Sequence, residues 1–214
     1  MKQLFSLGLG LLLLGVGHGV VTLQAQEAMG QAQVHGILGN ATAMGVDGKI
    51  TPLKSKMVLV PGTTIKTGPR AAVDLFLGKS AGIIRLTENS ILVLKQYKLM
   101  DAGGQTIIEL ELNLDQGSLL GKEGHINTSS SHYEIKIPTG IAGIDGGTFR
   151  INAQGYIVLT EGSLAYVHVD AAGQPKAYKL HAPPATYFSP VEGVKPAPEA
   201  LTREVNFQLK SKLK

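Results

Sequence analysis

The feature of this sequence that most constrains its fold is a long succession of short apolar runs separated by turn residues. Runs rich in Ile, Val, Leu and Thr alternate with Gly, Asn, Asp and Pro through most of the chain. The connections are too short for the crossover helices that a parallel α/β sheet requires. The sequence therefore predicts an all-β fold whose many short strands pair mainly by hairpins or coil as successive rungs. A sandwich, a barrel and a short β-solenoid all satisfy this pattern.

The clearest single strand lies at residues 105–114. From Ile108 to Leu114, aliphatic and polar residues alternate, which places the aliphatic side chains on one face of a half-buried strand. The expected strands lie near residues 32–38, 57–60, 63–66, 71–77, 80–86, 90–95, 105–114, 132–137, 147–152, 155–160, 162–169 and 176–180. The pair Glu161-Gly162 is expected to be a turn between two of them.

The first 25 residues have the layout of a secretory signal peptide. Lys2 supplies a positive charge, an apolar run extends from Leu4 to Gly17, and Leu23-Gln24-Ala25 ends in a small residue. We expect cleavage after Ala25, with an uncleaved membrane anchor as the alternative. In both cases the rest of the chain is expected outside the cytoplasm, in the periplasm or secreted.

The remainder is expected to form one all-β domain, residues 26–194, followed by a proline-containing basic tail, residues 195–214. Prolines crowd together between residues 175 and 198. Proline removes hydrogen-bond donors from a sheet, so this stretch predicts an edge strand followed by an extended segment. Pro198 can open a short C-terminal helix with Leu201, Val205 and Leu209 on one stripe, and a frayed tail is the alternative.

Composition excludes several classes of function. The chain carries 20 Lys and Arg against 16 Asp and Glu, a net charge of +4, without the clustered basic residues that nucleic-acid binding demands. We therefore expect no nucleic-acid partner. The chain contains no cysteine, so disulfides, thiolate metal sites and cysteine nucleophiles are absent.

The nearest approach to a catalytic motif is Ile144-Asp145-Gly146-Gly147-Thr148. An aspartic peptidase needs Thr or Ser directly after the aspartate and a second carboxylate sharing its proton, and neither is found here. We interpret the segment as a tight turn. In this interpretation Gly143, Gly146 and Gly147 supply positive φ angles, and Asp145 hydrogen-bonds the turn backbone.

The histidines show no metal-ligand spacing, since none forms an H-x-H or H-E-x-x-H pattern. Those considered are His35, His125, His132, His168 and His181. The run Ser129-Ser130-Ser131-His132 places hydroxyls beside an imidazole, but neighbours on a strand point to opposite faces, so we interpret it as a polar loop entering a strand. We assign no catalytic, cofactor-binding or metal-binding residue, expect no cofactor, and expect that the protein is not an enzyme.

Five segments, in order, resemble the FecR-domain family. They are Met57 to Leu75 with a G-x-x-I-x-T-G turn, Gly82 to Leu94 with I-R-L-x-x-N-S-x-L-x-L, Leu114 to Leu119 with L-x-x-G-x-L, Tyr133 to Phe149, and Thr160 to Val167. The resemblance spans roughly residues 33 to 193. It implies an extracytoplasmic, non-catalytic domain that relays signals by binding.

Two departures limit what the resemblance implies. The family commonly has an arginine before Gly-Thr, whereas Asp145-Gly146 precedes Gly147-Thr148 here, and its Thr-Pro order is reversed in Pro138-Thr139. Family regulators also carry a cytoplasmic N-terminal segment that engages a sigma factor. Met1-Lys2-Gln3 is no such segment, so direct sigma-factor control is not implied.

Two functions from different classes follow from these observations. The favoured one is a signalling or interaction module of the cell envelope whose exposed strand edges and loops dock another envelope protein by β-augmentation. The alternative is a structural or carbohydrate-associated envelope protein without a signalling role. Aromatic residues make up 5% of the chain and Trp is absent, which argues against stacking on sugars.

Overall fold

A computed structural model describes residues 27–123 and 130–211 of the chain. These residues form a mostly β structure with one C-terminal helix, so the all-β prediction is confirmed. The expected signal peptide, His125 and Ser129 lie outside the described residues. Within the described ranges, no helix is long and apolar enough to cross a membrane.

The elements follow one another along the chain with short connections. The strands are β1 (Glu27–Met29), β2 (Ala32–Leu38), β3 (Ala41–Met44), β4 (Ile50–Pro52), β5 (Val58–Leu59), β6 (Thr64–Thr67), β7 (Ala72–Phe76), β8 (Ile83–Leu86), β9 (Ile91–Ala102), β10 (Gln105–Gln116), β11 (Ser118–Glu123), β12 (His132–Ile137), β13 (Gly140–Asn152), β14 (Ile157–Val169), β15 (Pro175–Ala182), β16 (Thr186–Ser189) and β17 (Gly193–Pro196). The helix is α1 (Glu199–Lys210).

The strands form one hydrogen-bonded sheet that curls so that its two halves share a core. In the first half the neighbours run β1, β9, β10, β12, β13, β14, β15. In the second half they run β5, β2, β7, β8, β11, β13, β14, β16, β17. Strands β4, β3 and β6 extend the sheet from β9. Among the described strands only β10 and β12 pair in parallel, so the sheet is built mainly as hairpins and antiparallel neighbours.

Strands β13 and β14 belong to both halves because they turn a corner together while staying paired. Their ladder shifts register between Ile144 and Gly146 and again between Thr148 and Phe149. A Cβ atom on Gly147 would lie 1.9 Å from the Glu161 carbonyl oxygen, so only glycine allows this close approach. Bulges and bends of this kind let a strand pass from one sheet direction into another.

The corner corrects two interpretations of the sequence. Gly146 and Gly147 do have positive φ angles, 129° and 117°, but they lie inside strand β13 rather than in a tight turn. Gly143 does not have a positive φ. The expected turn at Glu161-Gly162 is likewise wrong, since both residues lie inside β14 opposite the corner of β13.

The core follows the period-two alternation of the strands. In β10 the side chains of Ile108, Leu110, Leu112 and Leu114 are all buried, as the sequence predicts. They belong to the same apolar cluster as side chains from the opposite half of the sheet, for example Leu75 of β7. The two halves therefore stabilise each other through one shared core.

Helix α1 packs against the outer face of the second half. It begins after Pro198, and Val205 is buried against Leu120 of β11 and Val158 of β14. Leu201 and Leu209 flank this contact and are partly buried. The predicted apolar stripe is therefore the docking face of the helix, which resolves the choice between helix and frayed tail.

Candidate functional site

Asp145 lies on β13 beside Ser163 of β14. Its carboxylate is exposed and accepts a hydrogen bond from the Ser163 hydroxyl across the β13–β14 pair, at 3.0 Å. The expected hydrogen bond from Asp145 to the turn backbone is thus replaced by a contact between two side chains. The cross-strand pair braces the corner on its outer face.

The described histidines lie in separate environments. His35 stacks on Phe76 with ring centroids 4.9 Å apart, and His132 and His181 are exposed on different strands. His168 is buried, and its Nδ1 atom lies 3.2 Å from the Tyr166 hydroxyl. Within residues 27–123 and 130–211, no group of three or more His, Asp or Glu side chains could hold a metal ion.

A buried polar network surrounds Tyr166. Its hydroxyl lies within 3.2 Å of the Thr139 hydroxyl and carbonyl as well as of His168. Burial raises the pKa of Tyr166, although the hydrogen bond with Thr139 opposes that change. The network ties β14 to the turn that precedes β13.

Strand β15 forms an edge of the sheet. It pairs with β14 from Gly162↔Ala182 to Val169↔Pro175, and no other described strand pairs with it. Most of its residues are exposed. The sequence prediction of an edge strand in the proline-rich stretch is therefore confirmed.

The hydrogen bonds of the neighbouring strand β14 determine which way the backbone N–H and C=O groups of β15 point. The N–H of Val169 donates to the carbonyl of Thr139, on the β13 side of β14. The backbone N–H and C=O groups of successive residues point to opposite sides of a strand. The backbone groups of His168 and Tyr166 therefore point towards β15, where they bond those of Lys176 and Tyr178. Every second residue of β15 is thus engaged with β14.

The alternate residues of β15, namely Ala177, Lys179 and His181, direct their N–H and C=O groups away from the sheet. The hydroxyl of Thr186 donates to the His181 carbonyl at 2.6 Å, which agrees with this direction. The backbone groups of Ala177 and Lys179 form the open part of the edge. An extended peptide can pair with such an edge as an additional strand.

An apolar row on the outer face leads to this edge. Ile141, Val167 and Ala177 are direct neighbours across β13, β14 and β15. Ile141 and Val167 are 40% and 39% exposed. A side chain of an added strand would continue this row and cover part of it, since directly opposed residues on neighbouring strands are in contact.

The edge carries positive charge. Lys179 is exposed and forms no ion pair with a described residue, whereas Lys176 pairs with Asp170 at 3.2 Å. Pro175 lacks an N–H at the start of the strand. Lysine and proline on an edge oppose pairing between two copies of the same chain. The same positive charge favours a partner segment that carries acidic residues.

A comparison of the chain with models of protein families, with curated proteins and with solved structures finds no match.

Proposed function

We propose that the protein is an exported, non-catalytic interaction module of the cell envelope, which binds an extended segment of another envelope protein along strand β15. The observation that carries this proposal is the outward direction of the Ala177 and Lys179 backbone groups on an exposed edge strand. The resemblance to FecR-type domains, which act by binding, supports the same function. The N-terminal signal-peptide layout supports the compartment.

The chemistry of the edge defines the partner segment. It must be extended so that its own N–H and C=O groups can pair with Ala177 and Lys179. Apolar side chains on its outer face would cover the row that ends at Ala177, and acidic side chains would face Lys179. Main-chain pairing supplies affinity, and these side-chain contacts supply specificity.

Substitutions at Lys179 test the proposal because they separate the contribution of its backbone N–H from that of its charged side chain. In Lys179→Pro the edge loses an outward N–H, while the β14–β15 ladder keeps its donors. In Lys179→Ala the N–H remains and only the charged side chain is lost. A partner captured from an envelope extract by the wild-type protein should be lost with Lys179→Pro and partly retained with Lys179→Ala.

Site-specific crosslinking provides the second measurement. A photoreactive residue at Ala177 should crosslink the partner. One at Val191, which is 86% exposed between β16 and β17, should not. Capture that is equally strong with Lys179→Pro, or crosslinks only from position 191, would contradict the proposed edge. Hydrolysis of peptides or glycans that a single substitution abolishes would contradict the non-catalytic part of the proposal.

A further inference from the structure

A second surface, separate from the open edge of β15, has the features of a small-molecule site. A cleft of about 440 Å³ opens where the C-terminal half of α1 crosses the corner of β13 and β14. Its volume lies within the range of small-molecule sites. Its polar lining consists of Lys122, Thr148, Thr160, Glu161, Asn206 and Lys210.

The floor of the cleft is set by the register of three strands. Lys122 of β11 pairs with Thr148 of β13, which pairs with Glu161 of β14. The next pair along β13 and β14 is Phe149↔Leu159, so Thr160 is an additional residue in the ladder. Such a bulge re-aims side chains, which explains why the adjacent residues Thr160 and Glu161 both line the cleft.

Hydrogen bonds hold the polar groups of the cleft in place. The Thr148 hydroxyl donates to Glu161 Oε2 at 3.1 Å, and the Thr160 hydroxyl donates to the Thr148 carbonyl at 3.2 Å. The Thr160 hydroxyl also lies 3.4 Å from Asn206 Oδ1 on the helix. The sheet and the helix thus present a connected set of donors and acceptors to the same cleft.

The charges of the cleft favour an anion. Lys122 extends from the sheet and Lys210 from the helix, and neither forms an ion pair with a residue of the described ranges. Glu161 is the one carboxylate among the described lining residues, which leaves a net charge of +1. The ammonium groups of Lys122 and Lys210 can both donate charge-assisted hydrogen bonds to one acid group. The hydroxyl, amide and carboxylate groups suit the hydroxyls of the same ligand.

We propose that this cleft binds a small hydroxylated anion, a sugar acid or a sugar phosphate. The acid group lies between Lys122 and Lys210, and the ligand hydroxyls bond Asn206, Thr160 and Glu161. Recognition is polar, without an aromatic stacking platform among the described lining residues. The site does not depend on the pairing of a partner with β15.

Titration of the purified protein with three probes tests the inference. D-glucuronate and glucose 6-phosphate should each give saturable binding by calorimetry, and neutral glucose should bind at least about tenfold more weakly, because it lacks the charge-assisted hydrogen bonds. Whichever of the two acids binds more tightly identifies the acid group. Acetate, which has the charge without the hydroxyls, should also bind more weakly than glucuronate.

Matched lysine variants locate the binding. Lys122→Met and Lys210→Met should each raise the Kd for the better acid by about tenfold. Lys179→Met, an exposed lysine on the β15 edge, should leave the Kd unchanged. Melting temperatures measured in parallel verify that the three variants are folded.

Three results would overturn the inference. The first is the absence of saturable binding for both acid probes, and the second is equal binding of glucose and glucuronate. The third is an unchanged Kd in both Lys122→Met and Lys210→Met. None of these measurements involves a protein partner. The cleft proposal can therefore be refuted without affecting the edge-strand proposal.

Discussion

The guanidinium of Arg85 forms a bidentate ion pair with the carboxylate of Asp74 beneath the end of helix α1. The Nε–Oδ1 and Nη2–Oδ2 distances are 2.6 and 2.7 Å, and both side chains are buried. The guanidinium also donates to the carbonyls of Gln208 and Ser211 and to the Ser211 hydroxyl. Carbonyls that the last turn of a helix leaves unpaired are thus satisfied by a charged group of the sheet.

We expect Arg85→Met to destabilise the protein by about 3–5 kcal/mol in chemical denaturation. The substitution leaves the Asp74 carboxylate buried without its partner and removes the donors at the helix end. Arg85→Lys should be nearly as damaging, since an ammonium cannot reproduce the bidentate geometry. The matched control is the double variant Asp74→Leu/Arg85→Met, which removes the unpaired charge and should recover much of the loss. A loss below about 1 kcal/mol in Arg85→Met would show that the pair contributes little.

Substitutions in α1 should distinguish residues that pack the helix against the sheet from residues that do not. Val205 is 1% exposed, whereas Phe207, two residues later, is 74% exposed. Val205→Asp would bury a charge against Leu120 and Val158, so we expect a loss of about 3 kcal/mol or more and reduced helical circular dichroism. Phe207→Asp should stay within about 0.5 kcal/mol of the wild type. Equal effects of the two substitutions would contradict the packing described for the helix.

Gly147 tests the corner of β13 and β14. We expect Gly147→Val to lower the free energy of unfolding by about 3 kcal/mol, because its Cβ would collide with the Glu161 carbonyl and its φ angle is positive. The control is Gly143→Ala. There the nearest atom to an added Cβ is the Ala165 carbonyl oxygen at 3.9 Å, so stability should hardly change. An unchanged melting temperature in Gly147→Val would refute this account of the corner.

Tyr97 should make the protein sensitive to alkaline pH. Its hydroxyl donates to the Leu77 carbonyl, and burial raises its pKa from 10.0 to about 12. Because the folded pKa exceeds the unfolded one, the contribution of Tyr97 is fully present below pH 10 and is lost as the pH rises towards 12. The expected loss is on the order of 2 kcal/mol.

The measurement is chemical denaturation across this pH range, with tyrosinate absorbance followed in the folded state. Tyr97→Phe should be about 1 kcal/mol less stable at neutral pH, through the lost hydrogen bond, and should show a shallower alkaline decline. An equally steep decline in Tyr97→Phe would assign the effect to other groups.

The sequence predicts the half-buried strands well because their evidence is local. The alternation from Ile108 to Leu114 by itself determines which face of β10 is buried. The predicted strands do not include β1, β3, β4, β11, β16 or β17. Ala41-Thr42-Ala43-Met44 lacks bulky β-formers and becomes a strand through its pairing with β6, a partner that the local sequence does not reveal.

The corner and the cleft could not be predicted for a related reason. Gly146-Gly147 reads locally as a turn, and only the facing Gly162 shows that the chain bends without reversing. The polar residues of the cleft come from β11, β13, β14 and α1, and no motif spacing connects them. The bulge that directs Thr160 and Glu161 to the same side depends on the register with β13. Register is a property of the assembled sheet.

Strands β13 and β14 run through both halves of the curled sheet. One half therefore cannot unfold without breaking strand pairs in the other. Withdrawing either strand from one half removes a neighbour in the other, so we expect a single cooperative melting transition for residues 27–211. A protease would then find few partly opened forms to cut. Its access to most of the chain would depend on rare opening of the whole domain, and resistance to proteolysis would follow global stability.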